Sequence, residues 1–415
     1  MRQESQQNRT RVLDAGPGED TRPLRILVTA YDYRPGLGGI ATCGYELARA
    51  LAAEPGVQVR LLAPRCDGDQ EFDRHGYFET RRRALPPVAG KAVLPFALWI
   101  REESRAWTPD ALIELLWLPG GVGCLVNRAF FRQSMPPYFQ VAHGVEVLES
   151  RRTLKKRVRA LVSPIKRRVF LSAACAFPVS RFTAKLLQDE IHLPVERLQV
   201  VYNGVDIDAF TPGPRPADLV EMYRAAGRTV FLTVTRLEDY KGIDHALGAL
   251  RVVVGDHPEA LYIVGGVGPD RPRLEALVRT LGLHDHVVFA GRIPTDRLVD
   301  HYRLSDCFVM LSRDDYVTPN VEGFGLVFLE AAACGRPSIA GRSGGISDAV
   351  ADGETAWLVD PEDEQAIARA MREALSDPDL LARRGRNARL RAERGFTWGH
   401  MARRVLARVR IHVRH

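Results

Sequence analysis

The sequence predicts an α/β protein made of two Rossmann-like parallel-sheet domains that face a central cleft. Three observations carry that expectation. At 415 residues the chain is too long for one ordinary domain and suited to two, each with its own core. A strand, a glycine loop and a helix open the chain between Leu24 and Leu51, and the same strand-helix alternation restarts at Thr229. Between the two runs, Pro212-Gly213-Pro214-Arg215-Pro216 punctuates the chain as a linker.

Composition narrows the class. With 46% hydrophobic and 26% charged residues the chain reads as a globular protein. Cys43, Cys66, Cys124, Cys175, Cys307 and Cys334 form no C-x-x-C pair, which predicts reduced, mostly buried thiols in a cytoplasmic protein. Met1 to Thr21 is polar and lacks the apolar core of a signal peptide, so residues 1–23 are expected to be a flexible tail. No apolar run approaches the roughly 20 residues of a membrane helix. The net charge of +7 is concentrated in the first half, where residues 1–200 hold 30 Lys and Arg against 21 Asp and Glu. Arg151 to Phe170 carries nine basic residues and no acidic one. Leu154, Val158, Leu161, Val162, Ile165 and Val169 give that run a helical apolar stripe, interrupted by Pro164. Two readings stay open: Arg151–Arg168 rests on an anionic membrane, each cation contributing about 1 kcal/mol, or the helix is solvated and its stripe packs on its own domain. The run lacks interleaved aromatics, so no nucleic-acid partner is predicted.

In chain order, Leu24–Ala30 is a buried strand followed by Pro35-Gly36-Leu37-Gly38-Gly39 and a helix from Ile40 to Leu51. The loop does not match G-x-G-x-x-G, and the second strand, Val57–Ala63, ends in Pro64-Arg65 without an acidic residue, which argues against a nicotinamide dinucleotide. Further strands are predicted at 111–116, 138–142, 174–178 and 199–202. His143 follows the second of these strands, just beyond the carboxyl end where ligands of open α/β sheets collect; a lone His is usually structural or merely exposed, although His is also the commonest switchable acid or base. Ser180 reads as a helix N-cap and Asn203-Gly204 as a turn. In the second half, strands at 229–235, 260–264, 286–290, 306–311, 337–340 and 356–359 complete a second sheet. Arg236, at the end of the first, and Lys241, five residues on, are a pair of cations that could clamp a diphosphate or could be ordinary surface charges.

The most informative stretch is Glu322-Gly323-Phe324-Gly325-Leu326-Val327-Phe328-Leu329-Glu330. Two glycines allow backbone N–H groups close to a ligand, and a helix N-terminus behind them favours an anion. Each carboxylate can accept hydrogen bonds from neighbouring sugar hydroxyls. Together with Ser312, Gly335-Arg336-Pro337, Gly344-Gly345, Asp352-Gly353 and Asp360-Pro361, this region resembles the nucleotide-sugar half of the retaining glycosyltransferases of family 4 (glycosyl transferases group 1). It is nearest in character to bacterial α-mannosyltransferases. The resemblance extends from about residue 24 to 400 and implies the GT-B fold: an acceptor domain over 24–207, a nucleotide-sugar domain over 208–395, and a helix over 396–415 that crosses back.

The resemblance also implies roles. Gly38 and Gly39 would contact donor phosphate, Arg236 and Lys241 would bind the diphosphate, and Arg292-Ile293 would lie against the base. Gly323, Phe324, Gly325 and Leu326 would line the donor site, Glu322 would hold the sugar, Glu330 the ribose, and His143 would touch the transferred sugar or its leaving group. His143, Glu322, Arg236 and Lys241 are therefore the catalytic candidates. No residue offers itself as a covalent nucleophile, and front-face attack is implied. No metal cofactor is expected, because Asp314-Asp315 are adjacent rather than spaced as D-x-D and cationic side chains replace the ion at phosphate. The expected partners are a nucleoside diphosphate sugar, GDP-mannose favoured, and a lipid-linked or small polar acceptor, at the inner face of the membrane if the basic run docks there. A nucleotide-sugar epimerase or hydrolase of the same fold, or a non-catalytic nucleotide-sugar binder, remains an alternative.

Overall fold

A computed structural model describes residues 22–36, 38–74, 76–131, 135–144, 146–147, 156–314 and 320–413, the span 156–163 by its backbone alone. The first sheet joins β1 (Leu24–Thr29), β2 (Val57–Pro64), β3 (Glu79–Arg83), β4 (Ala111–Glu114), β5 (Tyr138–Ala142) and β6 (Cys175–Pro178) in the order β3-β2-β1-β4-β5-β6. The second joins β7 (Thr229–Val234), β8 (Ala260–Gly265), β9 (Val287–Gly291), β10 (Cys307–Met310), β11 (Ser338–Gly341) and β12 (Ala356–Val359) in the order β12-β11-β10-β7-β8-β9. Every pairing is parallel. Each sheet winds outward from its first strand, leaving a crevice at the carboxyl ends of β1 and β4 in one lobe and of β7 and β10 in the other.

The helices of the first lobe are α1 (Gly39–Ala52), α2 (Asp69–Asp73), α3 (Ala89–Trp107), α4 (Val122–Phe131), α5 (Lys156–Ser172) and α6 (Arg181–Ile191). The second lobe has α7 (Ala217–Met222), α8 (Ile243–Val253), α9 (Arg271–Thr280), α10 (Leu298–Leu304), α11 (Leu326–Ala333), α12 (Ile346–Ala349), α13 (Glu364–Ser376) and α14 (Pro378–Gly395). Helices on both faces explain why β4, β5 and β8 are buried along their whole length and are mostly apolar, with Glu114 and Gln140 as the buried polar exceptions in β4 and β5. The last helix, α15 (Trp398–Val413), packs on α1 of the first lobe. Its entry is fixed where Val205 N–H donates to Phe396 O at 2.8 Å, and Gly204 lies so close to Thr397-Trp398 that a Cβ there would sit 2.3 Å from a backbone nitrogen. Asn203-Gly204, expected as a turn, is extended and is instead the seat of the lobe crossing.

Three expectations need correction. Residues 199–202 are not a strand: Gln199 N–H and Val201 N–H bond to Ala176 O and Pro178 O, but the segment forms no ladder before it turns into the crossing. β3 was not anticipated, because Glu-Thr-Arg-Arg-Arg has no apolar face; it is an edge strand whose charges are paired, Arg82 with Asp73 at 2.6 Å and Arg83 with Glu102 at 2.6 Å. Pro164 does not end α5, which runs through it while Val169 and Phe170 anchor its last turns in the core. The thiols are mostly buried, as expected: five are enclosed, Cys66 is exposed, and all six are free.

The predicted stripe on the basic run also differs. Ile165 is exposed, whereas Lys166 is buried with its Nζ donating to Val147 O at 2.9 Å, and Arg167 donates to Ile191 O at 3.1 Å. Residues 151–155 and the side chains of 156–163, which include most of the proposed membrane contact, lie outside the described residues. No described helix is long and apolar enough to cross a membrane.

Candidate active site

The Glu322–Gly325 loop sits where the two crevices meet. The second lobe presents it from the segment after β10, and the first lobe meets it with the turn after β5. Gly323 packs directly on the carbonyl of His143: a Cβ on Gly323 would lie 1.7 Å from that oxygen. Gly144, at φ +114°, faces Gly323 so closely that an added Cβ would lie 3.1 Å from its Cα. On its other side the loop is held by Gly345, whose N–H donates to Glu322 O at 2.8 Å. Gly325, at φ +89°, then reverses the chain into α11, a geometry that a residue with a Cβ adopts at a cost. Phe324 is buried and stacks on Tyr202 with ring centroids 6.0 Å apart. The lobes are also joined by Arg181, whose backbone N–H donates to buried Asp348 at 2.6 Å beside the guanidinium contact, with Ser180 capping α6 as predicted.

Lys241 and Glu322 form an ion pair of 2.7 Å, with side chains only 9% and 19% exposed. Lys241 occupies a short turn (239–241) whose exit, Gly242 at φ +68°, is pressed against Leu311 O. Burial alone would push the Lys241 pKa down, but Glu322 and Tyr240 outweigh it and hold the ammonium above its usual value. The lysine is therefore charged across the physiological range. Arg236, by contrast, is 77% exposed and lies 2.7 Å from Glu238. The structure thus brings Lys241 to the first glutamate and leaves Arg236 at the rim.

His143 stands at the end of β5 with Nε2 3.1 Å from Leu115 O, and its backbone N–H donates to Glu146. A carbonyl only accepts, so Nε2 carries the proton and Nδ1 is the lone-pair nitrogen. Burial lowers the imidazole pKa, which favours the neutral ring; burial likewise raises the carboxyl of nearby Asp32. A neutral ring of this kind can accept a hydrogen bond from a hydroxyl.

Beside this centre lies a cleft of about 600 Å³ between the lobes, walled by Gly38, Arg34, Glu46 and Trp398 on one side and by Ile293, Leu326 and Glu330 on the other. Gly39 adjoins it, opposite Leu326: an added Cβ would meet Leu326 Cδ1 at 3.6 Å. Glu330, in the second turn of α11, accepts from the Tyr302 hydroxyl at 2.7 Å. Burial raises its pKa, while Tyr302 and Arg34 pull it back. Ile293 lines the cleft whereas Arg292 is exposed and is not among the wall residues. Sequence reasoning missed Arg34, visible as the cation entering the glycine loop, and missed Tyr302, which precedes Glu330 by too many residues for any local spacing to connect them.

The arrangement offers a cation for a diphosphate, two carboxylates for hydroxyls and an apolar wall for a base. The family model described as Glycosyltransferase Family 4 matches residues 37–209, and the one described as Glycosyl transferases group 1 matches 221–391. A GDP-mannose-dependent α-(1-6)-phosphatidylinositol monomannoside mannosyltransferase of Mycolicibacterium smegmatis is 32% identical over 90% of this chain and 95% of its own. A D-inositol 3-phosphate glycosyltransferase of Thermobispora bispora is 36% identical over 89% and 88%. Among solved structures, Anabaena HepE in complex with UDP superposes with a TM-score of 0.76 at 18% identity over 93% of this chain and all of that one. The sucrose-phosphate synthase of Thermosynechococcus elongatus gives 0.77 at 22% identity over 93% and 98%. Carrying both family domains in sequence, and two lobes with the fold of those structures, the chain belongs to the family 4, group 1 glycosyltransferases of GT-B architecture.

Proposed function

We propose that this enzyme transfers mannose from GDP-mannose, with retention at the anomeric carbon, to an acceptor that carries an inositol or inositol phosphate group, lipid-linked or free. The observation that carries the reading is the buried Lys241–Glu322 pair, directly beneath the His143–Gly144 turn and next to the Glu330 cleft. Lys241, with Arg236 swinging in from the rim, stabilises the charge that develops on the departing diphosphate. Glu322 orients the sugar and offsets positive charge at the reacting carbon, and neutral His143 accepts from a sugar hydroxyl. Glu330 holds the ribose, with Gly38 and Gly39 beside the phosphates and Ile293 against the base. Cationic side chains serve at the phosphates, so the scheme has no metal cofactor. The relatives that act on phosphatidylinositol mannoside and on inositol 3-phosphate support the acceptor class. Docking of Arg151–Arg168 on an anionic membrane at its cytoplasmic face belongs to the same reading.

The test is a thermal-shift panel of GDP, UDP, ADP and their sugars, followed by transfer from the responding donor to inositol phosphate and to phosphatidylinositol mannoside. A ligand at 100 times its dissociation constant stabilises the native state by about 2.7 kcal/mol. A response to GDP and GDP-mannose, with labelled mannose recovered on an inositol acceptor, is expected. A response to UDP sugars alone overturns the donor, and hydrolysis without transfer to either acceptor overturns the transferase reading in favour of a hydrolase.

A further inference from the structure

Glu330 is assigned above to the ribose, and the group that controls it lies outside every motif of the sequence. Tyr302, on α10, is completely buried. Its ring is enclosed by Phe210 and Phe308, each with centroids 6.0 Å away, and its backbone carbonyl accepts from Arg336 at 3.1 Å. A side chain so enclosed keeps one rotamer. Its hydroxyl donates to Glu330 Oε2 at 2.7 Å. The other oxygen, Oε1, remains for the cleft that Glu330 lines.

We infer that Tyr302 is the positioning residue of nucleoside recognition: by holding Oε2 of Glu330 it aims Oε1 at the 2′,3′-diol of a ribonucleoside diphosphate. This rests on the reading of Glu330 as the ribose carboxylate. The diol donates its hydrogen bonds, so the ionised carboxylate is the binding form. The titratable and charged groups around Glu330 are Tyr302 from α10, Cys334 from the end of α11, and Arg34 from the loop after β1, with Glu46 of α1 behind Arg34. Burial pushes the Glu330 carboxyl up; Tyr302 first and Arg34 second pull it down. Removing the Tyr302 hydroxyl therefore moves protonation of Glu330 to higher pH, and affinity for the diol is lost earlier as pH falls.

The experiment is calorimetric titration of GDP, UDP and their 2′,3′-dideoxy analogues into the full chain, Tyr302→Phe and Glu330→Gln, from pH 5 to 8. The ratio of ribo to dideoxy affinity is the readout, because a sample that is partly unfolded scales both nucleotides alike. Tyr302→Phe is expected to lower that ratio about tenfold at pH 7, in line with one hydrogen bond to a charged group, and further at pH 5. Phe210→Leu, which loosens the ring but keeps the hydroxyl, gives a smaller loss in the same direction and decides the matter if Tyr302→Phe does not fold. Equal weakening of both nucleotides, or a Tyr302→Phe pH profile that overlays the native one, overturns the role of Tyr302 while Glu330→Gln still abolishes the preference. Native protein that binds neither nucleotide, or that treats ribo and dideoxy forms alike, overturns the ribose reading and this inference with it.

Discussion

The Lys241–Glu322 pair can be weighed by a double-mutant cycle of Lys241→Met, Glu322→Gln and the combined variant. At 2.7 Å and an effective dielectric of about 20, the attraction is roughly 6 kcal/mol before desolvation is subtracted. Both charges are mostly out of water, so removing the lysine leaves a carboxylate with little solvent and without its ammonium partner. Truncating one side of a buried pair costs about 3 to 5 kcal/mol. The residual exposure of 19% at Glu322 puts the expectation for Lys241→Met near the lower end, about 3 kcal/mol. Glu322→Gln should cost less, since a neutral amide can still accept from the ammonium. The combined variant should recover about 2 kcal/mol relative to the sum of the singles. Urea unfolding monitored by Trp357 on β12 reports the lobe that carries both residues. Singles that add within about 0.5 kcal/mol would refute the reasoning, because they would mean the two charges are solvated separately.

Two further outcomes concern the buried end of β4 and the contact between the lobes. Glu114, wholly buried at the end of β4, is bonded by the Thr29 hydroxyl and lies 3.1 Å from Cys124 Sγ; burial pushes its carboxyl up to about 7, with the Thr29 and Cys124 contacts pulling against it. A raised acid binds its proton more tightly when folded, so stability falls as pH rises from the ordinary carboxylate value of 4.5 to about 7, by at most roughly 3 kcal/mol. Glu114→Gln should match the native protein in melting temperature near pH 5 and exceed it at pH 8; identical pH profiles would show that Glu114 does not titrate in this range. Gly323→Ala places a methyl group 1.7 Å from His143 O and so must part the lobes at the site. It should cut nucleotide-sugar turnover by more than tenfold while the melting temperature of either lobe shifts by only a few degrees, and unchanged turnover would mean that the contact opens freely during the reaction.

What could be read along the chain and what could not divide cleanly by distance in sequence. The buried strands were legible from runs such as Ala-Leu-Tyr-Ile-Val-Gly and, beyond the partly exposed Leu24-Arg25 start of β1, Ile-Leu-Val-Thr, because a strand covered on both faces is apolar over most of its length. β3 was not, since an edge strand stabilised by ion pairs to α3 and to the end of α2 has no local apolar signature. Residues 199–202 carry strand-like composition, yet the crossing into α15 takes them away from the ladder.

At the site, the residue types and their spacing determined Glu322, Gly323, Gly325 and Glu330 as a loop entering a helix, because glycine conformation and helix entry are local matters. Only the tertiary structure decided what each of them meets. Lys241 reaches Glu322 across 81 positions of sequence, Tyr302 reaches Glu330 across 28, and the His143 carbonyl rests on Gly323 from the other lobe. Such pairs are chosen by how two sheets and their loops pack, and packing is set by the whole set of buried surfaces, so no window of the sequence contains it. The sequence by itself determined the two sheets, the glycine loops and the charges available for the chemistry; the fold decided which charge stands beside which.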